Sequence, residues 1–388
     1  MGKEDCMYSF DEVVERRGTQ CEKWDSVAGD STPMWVADMD FPAPPAVLKA
    51  LRERTEHGVF GYGITEDLPP VIAKWIHEEY GLAVDGSWIV LLPGTVPVLA
   101  AASHLREGRI MTHVPNYNGL LEAPLRAGKE TILSPLRNTG EYYTMDYDDM
   151  RKRLAPDVRL FYLCNPHNPV GRVYTKEELL ELSRFARENR LVVVSDEVHC
   201  GIVFDRPHIP YFSVDEYSME QSITLMGPGK TFNLAGLPLG FAVIPNEKLR
   251  REFTASCYAL PHPGVLSVVA AKAAYGESRE WKNALVEYLR GNRDYFESRM
   301  RKAFPAAKMA HAEGTYLQWI DFRPLGIAEP FQWLEDNPKI LASDGKIFGM
   351  EGYVRLNLGT NRARVADALD RIEHCAGELN PRPGKTRI

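Results

Sequence analysis

Lys230 is the residue whose type and position most directly suggest chemistry. It follows an apolar stretch, residues 222–226, that predicts a buried strand, and it lies in a turn that contains Gly227 and Gly229. Removal from water lowers the pKa of a lysine, and the neutral amine can then form a Schiff base with a carbonyl group. The alternative is a surface lysine in a glycine-rich turn, which is the usual position of an isolated lysine.

The residues around Lys230 also resemble the end of a phosphate-binding P-loop, because Gly229 and Thr231 flank the lysine. The full pattern G-x-x-x-x-G-K-[ST] requires glycine at position 224, where the chain has Thr224. The residues that follow, 232–236, are a weak start for the helix that a P-loop needs. Nucleotide hydrolysis is therefore disfavoured, and this alternative predicts nucleotide binding.

A carboxylate close to Lys230 would favour pyridoxal-phosphate chemistry, because that cofactor needs both a Schiff-base lysine and an acidic partner for its ring nitrogen. Asp196 follows the apolar run 191–194, which predicts a second buried strand. Ligands in open α/β sheets bind outside the carboxyl ends of the strands, and this rule places Asp196, Lys230 and the turn at Gly94 in one crevice. A helix cap or a turn is the alternative for Asp196.

The hydrophobic pattern predicts an α/β protein with a large domain, whose mostly parallel sheet is flanked by helices, and a smaller α+β domain. Thr175 and Glu178 form a T-x-x-E capping box that starts a helix between two predicted parallel strands. Strands are predicted at 88–92, 157–164, 191–194, 222–226, 241–244, 315–321 and 353–358, and late helices at 280–303 and 362–375. We expect a large domain over 46–285, a small domain over 286–388, and an N-terminal segment, 1–45, that packs on the small domain or on a partner subunit.

Composition limits the classes of protein that this chain can belong to. Its 388 residues are 44% hydrophobic and 26% charged, which is typical of a globular chain of two or three domains. The net charge of −7 and the lack of a basic stretch disfavour nucleic-acid binding. No apolar run is long enough for a membrane span, and charges at the N-terminus disfavour a secretory signal. The six cysteines contain no C-x-x-C, so we expect no metal site, no disulfide framework and a cytoplasmic location.

Seven short segments, in this order along the chain, resemble fold-type I pyridoxal-phosphate enzymes of the class I/II aminotransferase superfamily. They are 35–41 (WVADMDF), 61–63 (GYG), 92–97 (LPGTVP), 164–171 (CNPHNPVG), 195–199 (SDEVH), 230–233 (KTFN) and 353–357 (YVRLN). Each motif alone is weak, but the ordered set spans most of the chain. The WVADMDF and SDEVH segments favour the cystathionine β-lyase, or carbon–sulfur lyase, branch. The resemblance implies an aminotransferase-like fold and pyridoxal 5′-phosphate as cofactor.

The resemblance implies roles for five residues around the cofactor ring. Lys230 would bind the cofactor covalently and move protons at the substrate Cα, and Asp196 would bind the ring nitrogen. Asn168 would donate a hydrogen bond to the phenolic oxygen, near which His199 stands where many aminotransferases have a tyrosine. Tyr117 would stack on the ring. The structural alternatives are a turn asparagine, a core histidine and a core tyrosine.

The resemblance also implies a phosphate site at Gly94, Thr95 and Val96, where backbone N–H groups and a helix N-terminus favour an anion. The alternative is a plain strand-to-helix turn. Two features depart from the family pattern. The family commonly has serines around the lysine, but this chain has Gly227 and Gly229, and no arginine follows shortly after the lysine. We therefore expect weakened phosphate binding, since a hydrogen bond to a charged group contributes about 1.5–3 kcal/mol.

Three further residues are assigned by the resemblance. Tyr62 would reach the phosphate of a neighbouring subunit, which predicts a homodimer with its active site at the interface. Arg355 would bind the substrate α-carboxylate through its two-pronged guanidinium, and Trp35 would help to shape the substrate pocket. A surface arginine on an edge strand is the alternative for Arg355.

These residues predict a carbon–sulfur β-lyase that eliminates a thiol from cystathionine or a related cysteine S-conjugate and yields pyruvate and ammonia. The expected partner is a small amino-acid substrate. An aminotransferase uses the same residues up to removal of the Cα proton, and pyruvate formation without a keto acid would separate the two. The third possibility is a non-catalytic regulatory protein that keeps the fold, motivated by the glycines beside Lys230.

Overall fold

The computed structural model describes residues 8–379, so the parts of the predicted N-terminal segment and small domain at 1–7 and 380–388 lie outside the described residues. The strands are β1 (Thr32–Pro33), β2 (Ile89–Leu92), β3 (Arg109–Val114), β4 (Thr131–Pro135), β5 (Arg137–Asn138), β6 (Tyr143–Thr144), β7 (Val158–Cys164), β8 (Val192–Asp196), β9 (Ser222–Met226), β10 (Gly240–Val243), β11 (Lys308–Met309), β12 (Leu317–Asp321), β13 (Ile340–Leu341), β14 (Ser343–Asp344) and β15 (Tyr353–Asn357).

Helices cover the faces of the sheets that these strands form. They are α1 (Glu22–Asp25), α2 (Pro45–His57), α3 (Leu68–Tyr80), α4 (Val96–Ser103), α5 (Asn118–Arg126), α6 (Tyr147–Arg153), α7 (Lys176–Asn189), α8 (Glu216–Glu220), α9 (Pro228–Thr231), α10 (Glu247–Ser256), α11 (Val265–Glu277), α12 (Arg279–Ala303), α13 (Pro330–Asp336) and α14 (Arg362–Leu379). Among residues 8–379, none of these helices combines the length and the apolar character that crossing a membrane requires.

The central sheet has the strand order β2-β10-β9-β8-β7-β3-β4. The strands from β9 to β4 pair in parallel, whereas β10 is antiparallel to both of its neighbours. Every residue of β8, β9 and β10 is buried, as expected for strands with helices on both faces. The prediction of a mostly parallel sheet flanked by helices is confirmed.

Helix α7 joins β7 to β8, which pair in parallel. The predicted capping box is present: Glu178 N donates to Thr175 Oγ1 at 3.2 Å, and Thr175 N donates to Glu178 Oε2 at 2.8 Å. The apolar stripe of the helix is buried at Leu179, Leu182 and Phe185. The crossover helix therefore holds β7 and β8 side by side, with their carboxyl ends at one edge.

A second sheet lies towards the C-terminus, with the order β11-β12-β15-β14 and antiparallel pairing. Its apolar face packs on α12 and α14. Strand β1 pairs in parallel with β13, so the N-terminal segment contacts this part of the chain. Helix α12 runs through residue 285 without a break, and the predicted domain limits stay a prediction.

Candidate active site

The predicted cofactor residues meet at the carboxyl edge of the central sheet. Asp196 ends β8, Asn168 lies in the loop after β7, Lys230 lies in α9 directly after β9, and Tyr117 precedes α5 after β3. All four line a cavity of about 350 Å3, which Arg355 of β15 closes from the C-terminal sheet. Residues up to 238 positions apart, Tyr117 and Arg355, thus share one cavity, as the strand-end rule predicts for those that follow the central strands.

Lys230 reaches into this cavity, and its Nζ donates to the backbone oxygen of Ala37 at 2.7 Å. Burial, aided by the positive charge of Arg355, lowers the pKa of Lys230 to about 8. A pKa of about 8 leaves about a tenth of the amine neutral at pH 7, and only the neutral amine acts as nucleophile or base.

Asp196 is almost fully buried at the floor of the cavity. Burial raises the pKa of its carboxyl group to about 6, and a backbone N–H from Val198 at 3.3 Å offsets this only in part. A buried carboxylate without a cation in contact is unfavourable. Asp196 forms no ion pair within residues 8–379, and a protonated ring nitrogen would supply one.

Arg355 is held in place by three acceptors. Its Nη1 donates to Asn168 Oδ1 at 3.1 Å, and its Nη2 donates to the Trp35 backbone oxygen at 2.7 Å and to Ser343 Oγ at 3.0 Å. The guanidinium also lies over the Phe348 ring at 4.7 Å. Burial lowers the pKa of Arg355 to about 10, and its buried Nε has no acceptor among residues 8–379. The side chain is thus fixed in orientation and lacks an anion.

Asn168 and His199 face the same cavity. Because Asn168 Oδ1 accepts from Arg355, the amide nitrogen is the donor that Asn168 has left for a ligand. His199 is buried against the ring of Tyr316, with centroids 5.8 Å apart, and its Nδ1 has no partner among the described residues. Burial lowers the pKa of His199 well below its usual value, so the imidazole is neutral.

Tyr117 stands on one wall of the cavity, directly before α5. A Cβ at Gly119 would lie 2.4 Å from Tyr117 Cε1, so the glycine is what leaves room for this ring position. Burial raises the pKa of the Tyr117 hydroxyl to about 12, which keeps it protonated.

The predicted phosphate site forms a smaller neighbouring cavity of about 280 Å3 at the start of α4, lined by Gly94, Thr95 and Val96. Gly94 has φ = 123°, a conformation that favours glycine, and the Thr95 side chain caps no backbone N–H of α4. Gly227 and Gly229 line the opposite wall, where the family pattern has hydroxyl groups. An anion at this position would meet helix N–H groups and one threonine.

Trp35 lines the main cavity as well, but Tyr62 does not. The Tyr62 side chain is fully exposed, within a segment in which Val59, Phe60 and Ile64 are also exposed. The single chain therefore does not bring Tyr62 to the cofactor residues, and its role across a subunit interface stays a prediction.

Sequence reasoning missed several residues of this site. Tyr316 is buried and donates to the same Ala37 oxygen as Lys230, at 2.9 Å, and Ser343 and Phe348 contact Arg355. Glu22 also lines the cavity. Of these residues only Tyr316 had a signal in the sequence, because it lies within the predicted strand 315–321; the observed β12 begins one residue after it.

A sheet with a lysine and a carboxylate at its carboxyl edge, completed by an arginine from a second sheet, defines the fold and site of a known group of proteins. The family model "Aminotransferase class I and II" matches residues 33–372, and the chain belongs to this family. Recognition of the superfamily from the seven segments is thus confirmed.

Individual relatives place the chain within the family. Cystathionine beta-lyase PatB of Bacillus subtilis is 34% identical over 94% of this chain and 99% of its own length. The crystal structure of OvoB is 36% identical, covers 95% of this chain and 99% of the other chain, and gives a TM-score of 0.92. The PLP-bound C-S lyase from Staphylococcus hominis is 30% identical, covers 95% and 98%, and gives a TM-score of 0.87. The predicted resemblance to the lyase branch is confirmed.

Proposed function

We propose that this protein is a pyridoxal-phosphate-dependent carbon–sulfur β-lyase that eliminates a thiol from cystathionine or another cysteine S-conjugate. The observation that carries the proposal is the meeting of Lys230, Asp196, Asn168 and Arg355 in one cavity, each with an unmet or perturbed interaction. A non-catalytic protein would not need all four. The similarity to proteins named cystathionine β-lyase and C-S lyase supports elimination over other reactions of the family.

The residues fit the cofactor at each end. Asp196 offers a buried carboxylate to the protonated ring nitrogen, Asn168 offers an N–H to the phenolic oxygen, and Tyr117 offers an aromatic face to the ring. The turn at Gly94 and Thr95 offers free backbone N–H groups to the phosphate. When bound, pyridoxal phosphate supplies an electron sink that stabilises negative charge at the substrate Cα.

Arg355 orients the substrate in this proposal. Its buried Nε, which has no acceptor in the part of the chain that the structure describes, and its fixed guanidinium plane are suited to the α-carboxylate. Holding the carboxylate would fix the orientation of the substrate and so the direction of its Cα–H bond, from which Lys230 would take the proton. Orientation of this kind is where a protein contributes most to such a reaction.

Lys230 is the proposed base. Its neutral amine takes the proton from Cα, and the thiolate then leaves Cβ with the electron pair of the C–S bond. The released enamine reacts with water to give pyruvate and ammonia, so one water is consumed for each thiol, pyruvate and ammonia formed. The low pKa of Lys230 suits proton removal near neutral pH.

We also propose a homodimer. The exposed apolar side chains at Val59, Phe60 and Ile64, next to the fully exposed Tyr62, form a surface that a second copy would cover. Tyr62 would then reach the partner's phosphate site. Sedimentation of the purified protein tests whether it is a dimer. Comparison of cofactor affinity between the original protein and Tyr62→Phe tests whether the Tyr62 hydroxyl contacts the phosphate.

The deciding experiment measures pyruvate and free thiol released from L-cystathionine by the cofactor-loaded protein without any keto acid. We expect equal amounts of both products, and no release from Lys230→Ala at matched protein concentration. Exchange of an amino group with a keto acid, without thiol release, would instead support an aminotransferase. Failure to bind the cofactor would contradict both activities and favour the regulatory alternative.

A further inference from the structure

One charged residue of the main cavity has no task in the proposed reaction. Among the residues that line the cavity, the charged ones are Glu22, Asp196, Lys230 and Arg355. In the proposed reaction Asp196 binds the ring nitrogen, Lys230 removes the Cα proton and Arg355 binds the α-carboxylate. Glu22 remains, and its carboxylate forms no ion pair or hydrogen bond with any residue in the described range 8–379.

Glu22 is held at the cavity by the residues that follow it. Lys23 Nζ and Trp24 Nε1 both donate to Asp40 Oδ1, at 3.1 Å and 3.0 Å, and fix the short helix α1. Both side chains are buried. Trp35 Nε1 donates to the backbone oxygen of Lys23 at 3.2 Å, so α1 is also attached to the cavity wall. The backbone of Glu22 thus has a defined position although its side chain is exposed.

Apolar side chains share the lining of this cavity with Glu22. Trp35, Ile347 and Phe348 line the cavity together with it, and Ile347 is 48% exposed, which places it at the solvent side. Arg355 and Lys230 lie deeper and are engaged. A substrate whose α-carboxylate is on Arg355 and whose sulfur substituent points out of the cavity would find these apolar side chains and the carboxylate of Glu22 in the lining.

We propose that Glu22 selects the charge of the leaving thiol and favours S-conjugates whose distal end carries an ammonium group over those that end in a carboxylate alone. This inference rests on the proposed lyase function. Cystathionine fits it, because its distal end presents an ammonium group that Glu22 can bind. Neutral alkyl conjugates are expected to fall between the two charged classes.

The test compares S-(2-aminoethyl)-L-cysteine with S-carboxymethyl-L-cysteine, by pyruvate release from the cofactor-loaded protein. The readout is the ratio of kcat/KM for the cationic over the anionic substrate, measured in the original protein and in Glu22→Gln. Because both substrates are measured in each protein, any general effect of the substitution on folding or cofactor loading cancels in the ratio. Because the same two substrates are used in both proteins, the different reactivity of the two thiolates cancels when the ratios are compared. Exposed ion pairs contribute little in water, so we expect Glu22→Gln to lower the ratio about three- to fivefold.

Two controls make the result specific. Glu12→Gln removes the same charge from the same N-terminal segment, outside the cavity lining, and should leave the ratio unchanged. Glu22→Lys should lower the ratio further than Glu22→Gln, and added salt should weaken the preference of the original protein. An unchanged ratio in Glu22→Gln, with pyruvate formed from both substrates, would overturn the inference and leave the lyase function intact. No pyruvate from any S-conjugate would instead overturn the lyase function itself.

Discussion

Replacing Gly229 by serine should tighten cofactor binding, because it adds a hydroxyl group to the phosphate cavity beside that of Thr95. Gly229 lines that cavity within α9, directly before Lys230. A Cβ built there meets only Ala235 Cα, at 3.9 Å, so the side chain fits without displacing a neighbour. Position 227 differs: a Cβ there would lie 3.0 Å from the Leu239 backbone oxygen, and Gly227→Ser should bring strain rather than a gain.

The expected size follows from the energy of one hydrogen bond to a charged acceptor, about 1.5–3 kcal/mol. This corresponds to an affinity gain of about 10- to 150-fold. Removing glycine also stabilises a helix, by about 0.5–1 kcal/mol when alanine replaces it. Gly229→Ala carries that backbone effect without the hydroxyl, and it is therefore the reference for Gly229→Ser.

The assay titrates cofactor-free protein with pyridoxal phosphate and follows the absorbance of the bound form. A parallel titration with pyridoxal, which has no phosphate, isolates the contact in question. The gain of Gly229→Ser over Gly229→Ala should appear with pyridoxal phosphate and be absent with pyridoxal. Equal affinities of the two variants for pyridoxal phosphate would refute the assignment of this cavity to the phosphate.

Three further predictions concern single substitutions. Asp196→Asn should raise the free energy of unfolding of the cofactor-free protein by about 3 kcal/mol at pH 8 and have little effect below pH 4. Because the pKa of the buried carboxyl group is raised to about 6, ionisation of Asp196 destabilises the folded protein above that pH, and asparagine has no charge to bury. Urea unfolding at both pH values measures the difference. Gly119→Ala should displace the Tyr117 ring and weaken cofactor binding about two- to tenfold, as measured by the same titration. Asn233→Ala should lower the free energy of unfolding by about 4 kcal/mol, because Asn233 has φ = 56° and its side chain forms three hydrogen bonds with the backbone of segment 35–41. Asn233→Gly should recover about 1 kcal/mol of this loss, because glycine adopts a positive φ without strain. Urea unfolding measures both variants.

The strands of the central sheet were predictable because buried parallel strands are continuous apolar runs between turn residues. The predicted 222–226 coincides with β9, and 157–164 differs from β7 by one residue. The positions of Asp196 and Lys230 at one edge followed from the same pattern. The direction of β10 did not, because an apolar run of four residues is the same in a parallel and in an antiparallel strand.

The contacts that orient the site were not predictable from residue patterns. The Lys230 amine donates to the backbone oxygen of Ala37, 193 residues earlier in the chain. Every residue has a backbone oxygen, so the type of side chain at position 37 does not indicate this contact. Tyr316 donates to the same oxygen, but its place in the predicted strand 315–321 does not distinguish it from a tyrosine that only packs in the core. Glu22 was missed for a similar reason, since its place at the cavity depends on how its neighbours Lys23 and Trp24 reach Asp40.

Segment 35–41 explains how two separate sheets present one site. Its backbone oxygens accept hydrogen bonds from Lys230 and Asn233, which follow the central sheet, and from Arg355 and Asn357 of the C-terminal sheet. The side chains proposed to contact the cofactor and the substrate are thus positioned by hydrogen bonds to one stretch of main chain. Since hydrogen bonds to main-chain oxygens do not depend on the side chains of the segment, the backbone path is what must be preserved. A substitution that shifts this path would move Lys230 and Arg355 together, and would change proton removal and carboxylate binding at the same time.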